Sequence, residues 1–131
     1  MKTAAEINDG LAQCYGTEAY HRVSALHGRL VITDGVLWLA EASECFWLID
    51  IIASYQPLCM KDAMLRDIQF WTLTVADDKT AKIICERASG DVVIAQKIPF
   101  TDFPLSEIKI FVQAGECGGR PVMVALLPSE N

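Results

Sequence analysis

The sequence contains no apolar run long enough to cross a membrane. Its longest apolar stretch, residues 45–53, spans nine positions and is interrupted by Asp50, whereas a membrane-spanning helix needs about 20 apolar residues. The first ten residues also lack the apolar core of a signal peptide. We therefore expect a cytoplasmic protein that has no membrane segment.

Closely spaced cysteines are also missing. The gaps between the five cysteines are 14 residues or more, whereas zinc ligands usually stand about two to four residues apart. A disulfide scaffold would need an oxidising compartment, for which the sequence carries no address. We expect no metal and no cofactor, and interpret the thiols as reduced and mostly buried: Cys14, Cys45, Cys59, Cys85 and Cys117.

Basic residues are few and scattered. The chain has 11 Lys and Arg against 17 Asp and Glu, which gives a net charge of −6. Proteins that hold a nucleic-acid backbone do so with clustered Lys and Arg. We therefore expect no direct binding to nucleic acid.

Apolar residues, by contrast, are abundant at 52% of the chain. We predict one compact domain over residues 1–131, because a chain of this size supports a single core. Such a domain has a limited interior, so we expect an outward-facing apolar patch and self-association as a symmetric dimer. Four aromatic residues are candidates for that patch: Trp38, Phe70, Trp71 and Phe103.

Residues 3–15 have the spacing of an amphipathic helix. Thr3 and Glu6 form the pattern of a capping box at its start. A polar connection over residues 16–18 then leads into residues 20–23.

The next segment predicts a hairpin and then the main helix. Apolar residues 30–33 and 36–39 flank Asp34-Gly35, a dipeptide favoured in tight two-residue turns. Residues 41–55 carry a wide apolar stripe at helical spacing, and Pro57 is expected to end that helix. A short second helix is predicted over residues 61–67.

From residue 69 onward the apolar period becomes two, which indicates strands. A meander is predicted over residues 69–75, 81–86 and 92–98. Two further strands follow over 108–113 and 122–127, joined by a loop that contains Gly115, Gly118 and Gly119. The fold class is therefore α+β: a single domain whose antiparallel sheet, a β-hairpin plus a meander, packs one main helix and one or two shorter helices on one face.

The two histidines, His21 and His27, allow only a weak case for catalysis. A thiol triad can be drawn with Cys14 or Cys45 as nucleophile, His21 as base and Asp34 or Asp50 as orienting acid. Nothing in the sequence brings these groups within hydrogen-bond reach. We assign no catalytic residue and do not expect an enzyme.

Asp50 is the most informative single residue, because it interrupts an apolar helix. One interpretation places it at the solvent edge or in an ion pair with Arg22 or Arg66. The other makes it a perturbed carboxylate in a small-ligand pocket between the main helix and the sheet. The candidate binding residues are Tyr20, His21, Arg22, Trp47, Asp50 and Trp71.

Four strings in the chain resemble a family of small bacterial proteins with no assigned activity. They are Thr33-Asp34-Gly35-Val36, the segment 47–54 (Trp-Leu-Ile-Asp-Ile-Ile-Ala-Ser), the segment 98–105 (Ile-Pro-Phe-Thr-Asp-Phe-Pro-Leu) and the segment 126–130 (Leu-Leu-Pro-Ser-Glu). The resemblance implies a bacterial source, often a plasmid, a phage or another mobile element. It brings no catalytic residues.

Two functional hypotheses remain open. The first is a non-enzymatic interaction or accessory protein of a mobile element, self-associating and able to bind a host or phage protein. The alternative is a small-ligand-binding protein or small enzyme that uses the helix–sheet pocket. Inhibition of a host nuclease or toxin is a third possibility, consistent with the acidity of the chain.

Overall fold

A computed structural model describes residues 1–11, 20–22 and 30–130 of the chain. These residues build one seven-stranded sheet, which confirms the predicted α+β class. The strands are β1 (Tyr20–Arg22), β2 (Leu30–Thr33), β3 (Ile68–Val75), β4 (Ala81–Glu86), β5 (Val92–Ile98), β6 (Glu107–Cys117) and β7 (Arg120–Leu126).

The strand order across the sheet is β1-β2-β7-β6-β3-β4-β5. The predicted meander over β3, β4 and β5 is confirmed, with antiparallel pairs throughout. β6 and β7 form an antiparallel hairpin, and β6 also pairs with β3. The sheet is not wholly antiparallel, because β2 lies parallel to β7.

The described residues also form four helices: α1 (Ala4–Leu11), α2 (Asp34–Ser43), α3 (Phe46–Ser54) and the single turn α4 (Gln56–Cys59). A 3-10 helix, Pro128–Glu130, follows the last strand. The capping box at the start of α1 is confirmed: the Glu6 N–H donates to Thr3 Oγ1 at 3.2 Å, and the Thr3 N–H donates to Glu6 Oε1 at 3.2 Å. The predicted continuation of this helix to residue 15 lies outside the described residues.

The predicted hairpin at Asp34-Gly35 is wrong, because this dipeptide begins α2 instead. Thr33 is the N-cap residue, and its hydroxyl accepts a hydrogen bond from the Val36 N–H at 3.3 Å. Val36, Leu39 and Ala40 are all buried, a spacing of three and four that suits a helix. The apolar run after Asp34-Gly35 is therefore one face of a helix and not a second strand.

The single main helix predicted over residues 41–55 is also wrong. Glu44 adopts a left-handed conformation, with φ 52°, and its N–H returns to the Ala40 carbonyl, which ends α2. α3 then begins at Phe46 and ends at Ser54, and Pro57 lies in the first turn of α4. A proline is tolerated there because an amide at that position has no partner within the helix.

The short helix predicted over residues 61–67 is replaced by turns. The Asp62 carboxylate accepts the backbone N–H groups of Met64 and Leu65, at 2.9 and 3.2 Å. These bonds cap a single turn, in which the Arg66 N–H donates to the Asp62 carbonyl at 3.0 Å. Because β3 begins at Ile68, the segment is too short to continue as a helix.

The main core lies between the helices and one face of the sheet. It includes Ile7 of α1, Val36 of α2, Ile49 of α3 and Trp71 of β3, each at most 1% exposed. Burying one such apolar side chain contributes about 1.5–3 kcal/mol. None of the helices in the described ranges is long and apolar enough to span a membrane.

Candidate functional site

The C-terminal end of the described chain meets the start of α2. The Glu130 carboxylate accepts the Thr33 hydroxyl at 2.6 Å and the Gly35 N–H at 3.2 Å. Its Oε1 also accepts the N–H of Leu127, at 2.9 Å. We call Thr33, Gly35, Leu127 and Glu130 the clasp, because together they hold the C-terminal 3-10 helix on the N-terminus of α2.

The clasp follows from ordinary helix physics. The first amides of a helix lack partners within the helix and carry a partial positive charge, so a carboxylate placed there is stabilising. Glycine at position 35 permits the approach, since a Cβ at that position would lie 2.8 Å from Glu130 Cδ. The strings 33–36 and 126–130, which support the family resemblance, thus meet in space.

His21 lies beside the clasp. Its Nε2 is 2.7 Å from Asp34 Oδ1, and both side chains are partly exposed. An imidazole–carboxylate pair of this kind orients the ring in many enzymes, but it needs a nucleophile to do chemistry.

The described residues do not supply a thiol nucleophile to this pair. Cys45 is fully buried, its sulfur contacts the Leu39 carbonyl at 3.8 Å, and burial raises its pKa to about 12. A thiol with such a pKa is not a nucleophile at neutral pH. Cys14, the other candidate, lies outside the described residues.

The six predicted binding residues do not gather at one place. Tyr20, His21 and Arg22 form β1, with Tyr20 and Arg22 exposed. Trp71 is buried on β3, four strand positions away, a separation of roughly 19 Å at the usual strand spacing.

The two remaining candidates lie on α3. Asp50 is exposed and Trp47 is half-buried. No ion pair joins Asp50 to Arg22 or Arg66 among the described residues. Asp50 therefore lies at the solvent edge of its helix.

Trp71 belongs to a buried polar network that sequence reasoning missed. The side-chain amides of Gln56 and Gln69 bond to each other in both directions, at 3.0 and 2.9 Å, and the Trp71 indole N–H donates to Gln69 Oε1 at 2.9 Å. The Tyr55 ring packs against Trp71 with centroids 5.9 Å apart. The network satisfies its polar atoms internally, so it is structural.

The other face of the sheet carries a separate apolar cluster. Val31, Val124 and Leu126 are its buried members, and Phe111 and Val122 pack against them half-buried. Phe70 extends the cluster through an edge-to-face contact with Phe111, at 5.1 Å and 84°. We call these residues the apolar strip: Val31, Phe70, Phe111, Val122, Val124 and Leu126.

A depression of about 300 Å³ lies at one end of the apolar strip. Phe70 and Phe111 contribute aromatic surface to it, and Lys109 and Glu86 also line it. Neither charged residue forms an ion pair within the described part of the chain. The depression therefore combines aromatic surface with one positively charged side chain, Lys109, and one negatively charged side chain, Glu86.

Of the four aromatic residues that the sequence predicts for an outward-facing patch, three lie outside the apolar strip. Trp71 and Phe103 lie in the main core, at 1% and 2% exposure. Trp38 is half-buried against that core. Of the four, Phe70 belongs to the apolar strip.

Ligand sets for a metal ion are not found in residues 1–11, 20–22 and 30–130: no group of three or more His, Cys, Asp and Glu side chains has the required arrangement.

The fold and its sites define a small α+β protein with a clasped C-terminus and an apolar sheet face. The chain belongs to a family of unknown function, DUF6876, whose model matches residues 5–131. The resemblance to an uncharacterised family is thereby confirmed. No curated protein matches the chain, and no solved structure matches it.

Proposed function

We propose that this protein is a non-enzymatic interaction protein of a bacterial mobile element, and that it associates with a second copy of itself through the apolar strip. The observation that carries the proposal is the strip itself. A sheet face in contact with water normally bears polar side chains, whereas β2, β6 and β7 present Val, Leu and Phe on this face.

The strip is suited to isologous contact. In a two-fold symmetric dimer the same patch serves both copies, so a half-buried rim on one copy is covered by the partner. Phe111, Val122 and Phe70 are the half-buried side chains that form this rim. Two of them are aromatic, and aromatic residues are enriched at protein interfaces. The aromatic depression offers a place where an apolar side chain of the partner can insert.

The rest of the described chain favours binding over catalysis. The His21–Asp34 pair has no available thiol beside it among the described residues, and Cys45 is buried. The predicted helix–sheet pocket would need Tyr20 and Trp71 together, and they lie four strand positions apart. Binding through the strip requires neither arrangement.

The test is the molar mass in solution. Size-exclusion chromatography with light scattering, run over a wide range of micromolar concentrations, should give about twice the chain mass of 14.5 kDa. A Val122→Glu variant places a charge on the rim and should shift the mass to that of one chain. A strict monomer for the unsubstituted protein would refute the self-association.

Thr74→Glu is the matched control. Thr74 is exposed and lies on the same face of the sheet, beyond the strip, so this variant should remain dimeric. Circular dichroism of both variants checks that they are folded. Equal masses for folded Val122→Glu and Thr74→Glu would contradict the assignment of the interface to the strip.

A further inference from the structure

Two charged side chains flank the aromatic depression at the end of the apolar strip. Lys109 of β6 and Glu86 of β4 both line it, together with Phe70 and Phe111. In the register of the sheet, Lys109 is opposite Thr72 of β3. Glu86 is opposite Phe70, two residues earlier on the same strand. The two charges are thus separated by the width of β3, and neither is paired with an opposite charge in the described ranges.

The Glu86 carboxylate is held in position. Its Oε2 accepts the Gly90 N–H at 2.8 Å, and Gly90 has a φ of 82°, a conformation that glycine adopts without steric cost. Ala88 and Ser89, the residues of this turn that line the depression, have short side chains that leave the half-buried Glu86 accessible. A group that is already oriented loses little freedom when it binds an opposite charge.

The apolar strip crosses the sheet diagonally. Val124 of β7 is opposite Gln113 of β6, and Phe111, the next member of the strip, lies two residues before Gln113. Continued across the sheet, the line from Val124 to Phe111 passes between Lys109 and Glu86. At the usual spacings of about 4.8 Å between strands and about 3.3 Å between residues, these two lie at nearly the same level along the line, on opposite sides of it.

We infer that a second copy of this chain completes the depression, with Lys109 of each copy forming an ion pair with the partner's Glu86. The inference rests on the self-association proposed above and specifies its geometry. In a face-to-face dimer the two-fold axis lies in the plane between the two sheets, and it exchanges the two sides of the line that it follows. An axis parallel to the apolar strip therefore places each Lys109 over the partner's Glu86, and symmetry forms the pair twice.

Charge complementarity is the reason for choosing a second copy as the occupant. The depression carries one charge of each sign, so an identical depression turned over by the two-fold axis supplies both missing partners. Each chain has a net charge of −6, so two copies repel each other unless opposite charges are brought together locally. Complementary charges across an interface also select its orientation, and here they fix how the two strips align.

The experiment measures the dissociation constant of the dimer by sedimentation equilibrium. Lys109→Glu and Glu86→Lys should each weaken the dimer by at least about tenfold, because each places like charges together at two points. Glu86→Lys makes the chain less acidic, so an effect of net charge alone would strengthen its dimer instead. A variant with both substitutions should regain the affinity of the unsubstituted protein, because the opposite charges are restored.

Matched controls carry the same changes of charge in the layer of helices. Lys61→Glu follows α4 and Glu41→Lys lies on α2, and both positions are exposed. These variants should leave the dissociation constant within about threefold of the unsubstituted value, since isolated surface charges contribute little.

A mixture of the two single variants adds an independent measurement. In a heterodimer of Lys109→Glu with Glu86→Lys, both contacts again join opposite charges, whereas both contacts in either homodimer are repulsive. Native mass spectrometry, with one variant labelled with a heavy nitrogen isotope, should therefore show more heterodimer than random exchange gives. A mixture of labelled and unlabelled unsubstituted protein supplies the random reference.

The outcomes distinguish this inference from the proposed self-association. A strict monomer for the unsubstituted protein would refute both. A dimer that Val122→Glu disrupts but that neither charge reversal weakens would refute the reciprocal ion pairs alone, and so would a mixture with only the random share of heterodimer. Circular dichroism checks that each variant is folded. If Glu86→Lys does not fold, the comparison of Lys109→Glu with Lys61→Glu decides the question.

Discussion

Replacing Gly35 with alanine tests the clasp, because two effects of opposite sign act at that position. Alanine in a helix is favoured over glycine by up to about 1 kcal/mol. The added Cβ, however, would lie 2.8 Å from Glu130 Cδ, so the carboxylate has to move. Glu130 is a flexible side chain near the end of the chain, and it can move only by giving up its bonds to Thr33 and Gly35.

The cost of that movement is bounded by the energy of the clasp. Hydrogen bonds to a charged group are worth about 1.5–3 kcal/mol each when well formed. Glu130 is half-buried and its bond to Gly35 is long, at 3.2 Å, so water replaces part of what is lost. We estimate about 2 kcal/mol for the whole clasp, and therefore expect Gly35→Ala to destabilise the protein by about 1 kcal/mol net.

A double-mutant cycle with Glu130→Ala separates the two effects. Glu130→Ala alone should lower the free energy of unfolding by about 2 kcal/mol. In that background Gly35→Ala meets no carboxylate and should stabilise by up to about 1 kcal/mol, which gives a coupling of about 2 kcal/mol. The assay is urea unfolding followed by circular dichroism.

Additive effects of the two substitutions would contradict a contact between Gly35 and Glu130 that affects stability. If Gly35→Ala changes the stability by the same amount, within about 0.5 kcal/mol, with and without the Glu130 side chain, the two residues are not coupled. The close approach of the Glu130 carboxylate to Gly35 would then not contribute to stability. A Glu130→Ala variant that is more stable than the unsubstituted protein would contradict the stabilising role of the whole clasp.

The strands of the second half of the chain could be predicted because their pattern is local. Phe70, Thr72 and Thr74 alternate with Trp71 and Leu73, and each short turn brings the next strand beside the last. The parallel pair of β2 and β7 leaves no such signal, since its members are separated by most of the chain. The register of that pair is decided by the core and not by a turn.

The errors in the first half have a different origin. Asp34-Gly35 suits both a tight turn and the first turn of a helix, and the deciding group is the Thr33 hydroxyl. The break at Glu44 depends on a left-handed residue that is not glycine, and no residue preference announces it. The local sequence is therefore compatible with the two observed helices, but it is also compatible with the predicted hairpin and single main helix.

The clasp and the buried amide network show which features of the site can be read from the sequence and which cannot. Thr33 and Glu130 are 97 positions apart, so their strings were visible but their contact was not. Gln69 shares its side of β3 with Trp71 and Leu73, which indicates a buried glutamine. A glutamine at a core position needs a partner, and that requirement predicts a network without identifying Gln56.

The buried amide network and an ion pair at the surface can both be tested by unfolding measurements. Gln69→Leu should destabilise the protein by about 2–4 kcal/mol in thermal or urea unfolding, because the Gln56 side-chain oxygen and the Trp71 indole N–H lose the partner that Gln69 supplies. A change under about 0.5 kcal/mol would contradict the network. For the ion pair, the hydrogen bond from Arg87 lowers the pKa of Asp62 below its ordinary value of 3.8. A lowered pKa in the folded state means that the pair stabilises the protein above the ordinary pKa and that this contribution is lost as the pH falls below it. The thermal midpoints of the unsubstituted protein and of Arg87→Gln should therefore differ most near neutral pH and become equal toward pH 2. The midpoint of Asp62→Asn should approach that of the unsubstituted protein in the same way. A difference that stays constant down to pH 2 would mean that Arg87 acts through packing and not through the Asp62 carboxylate.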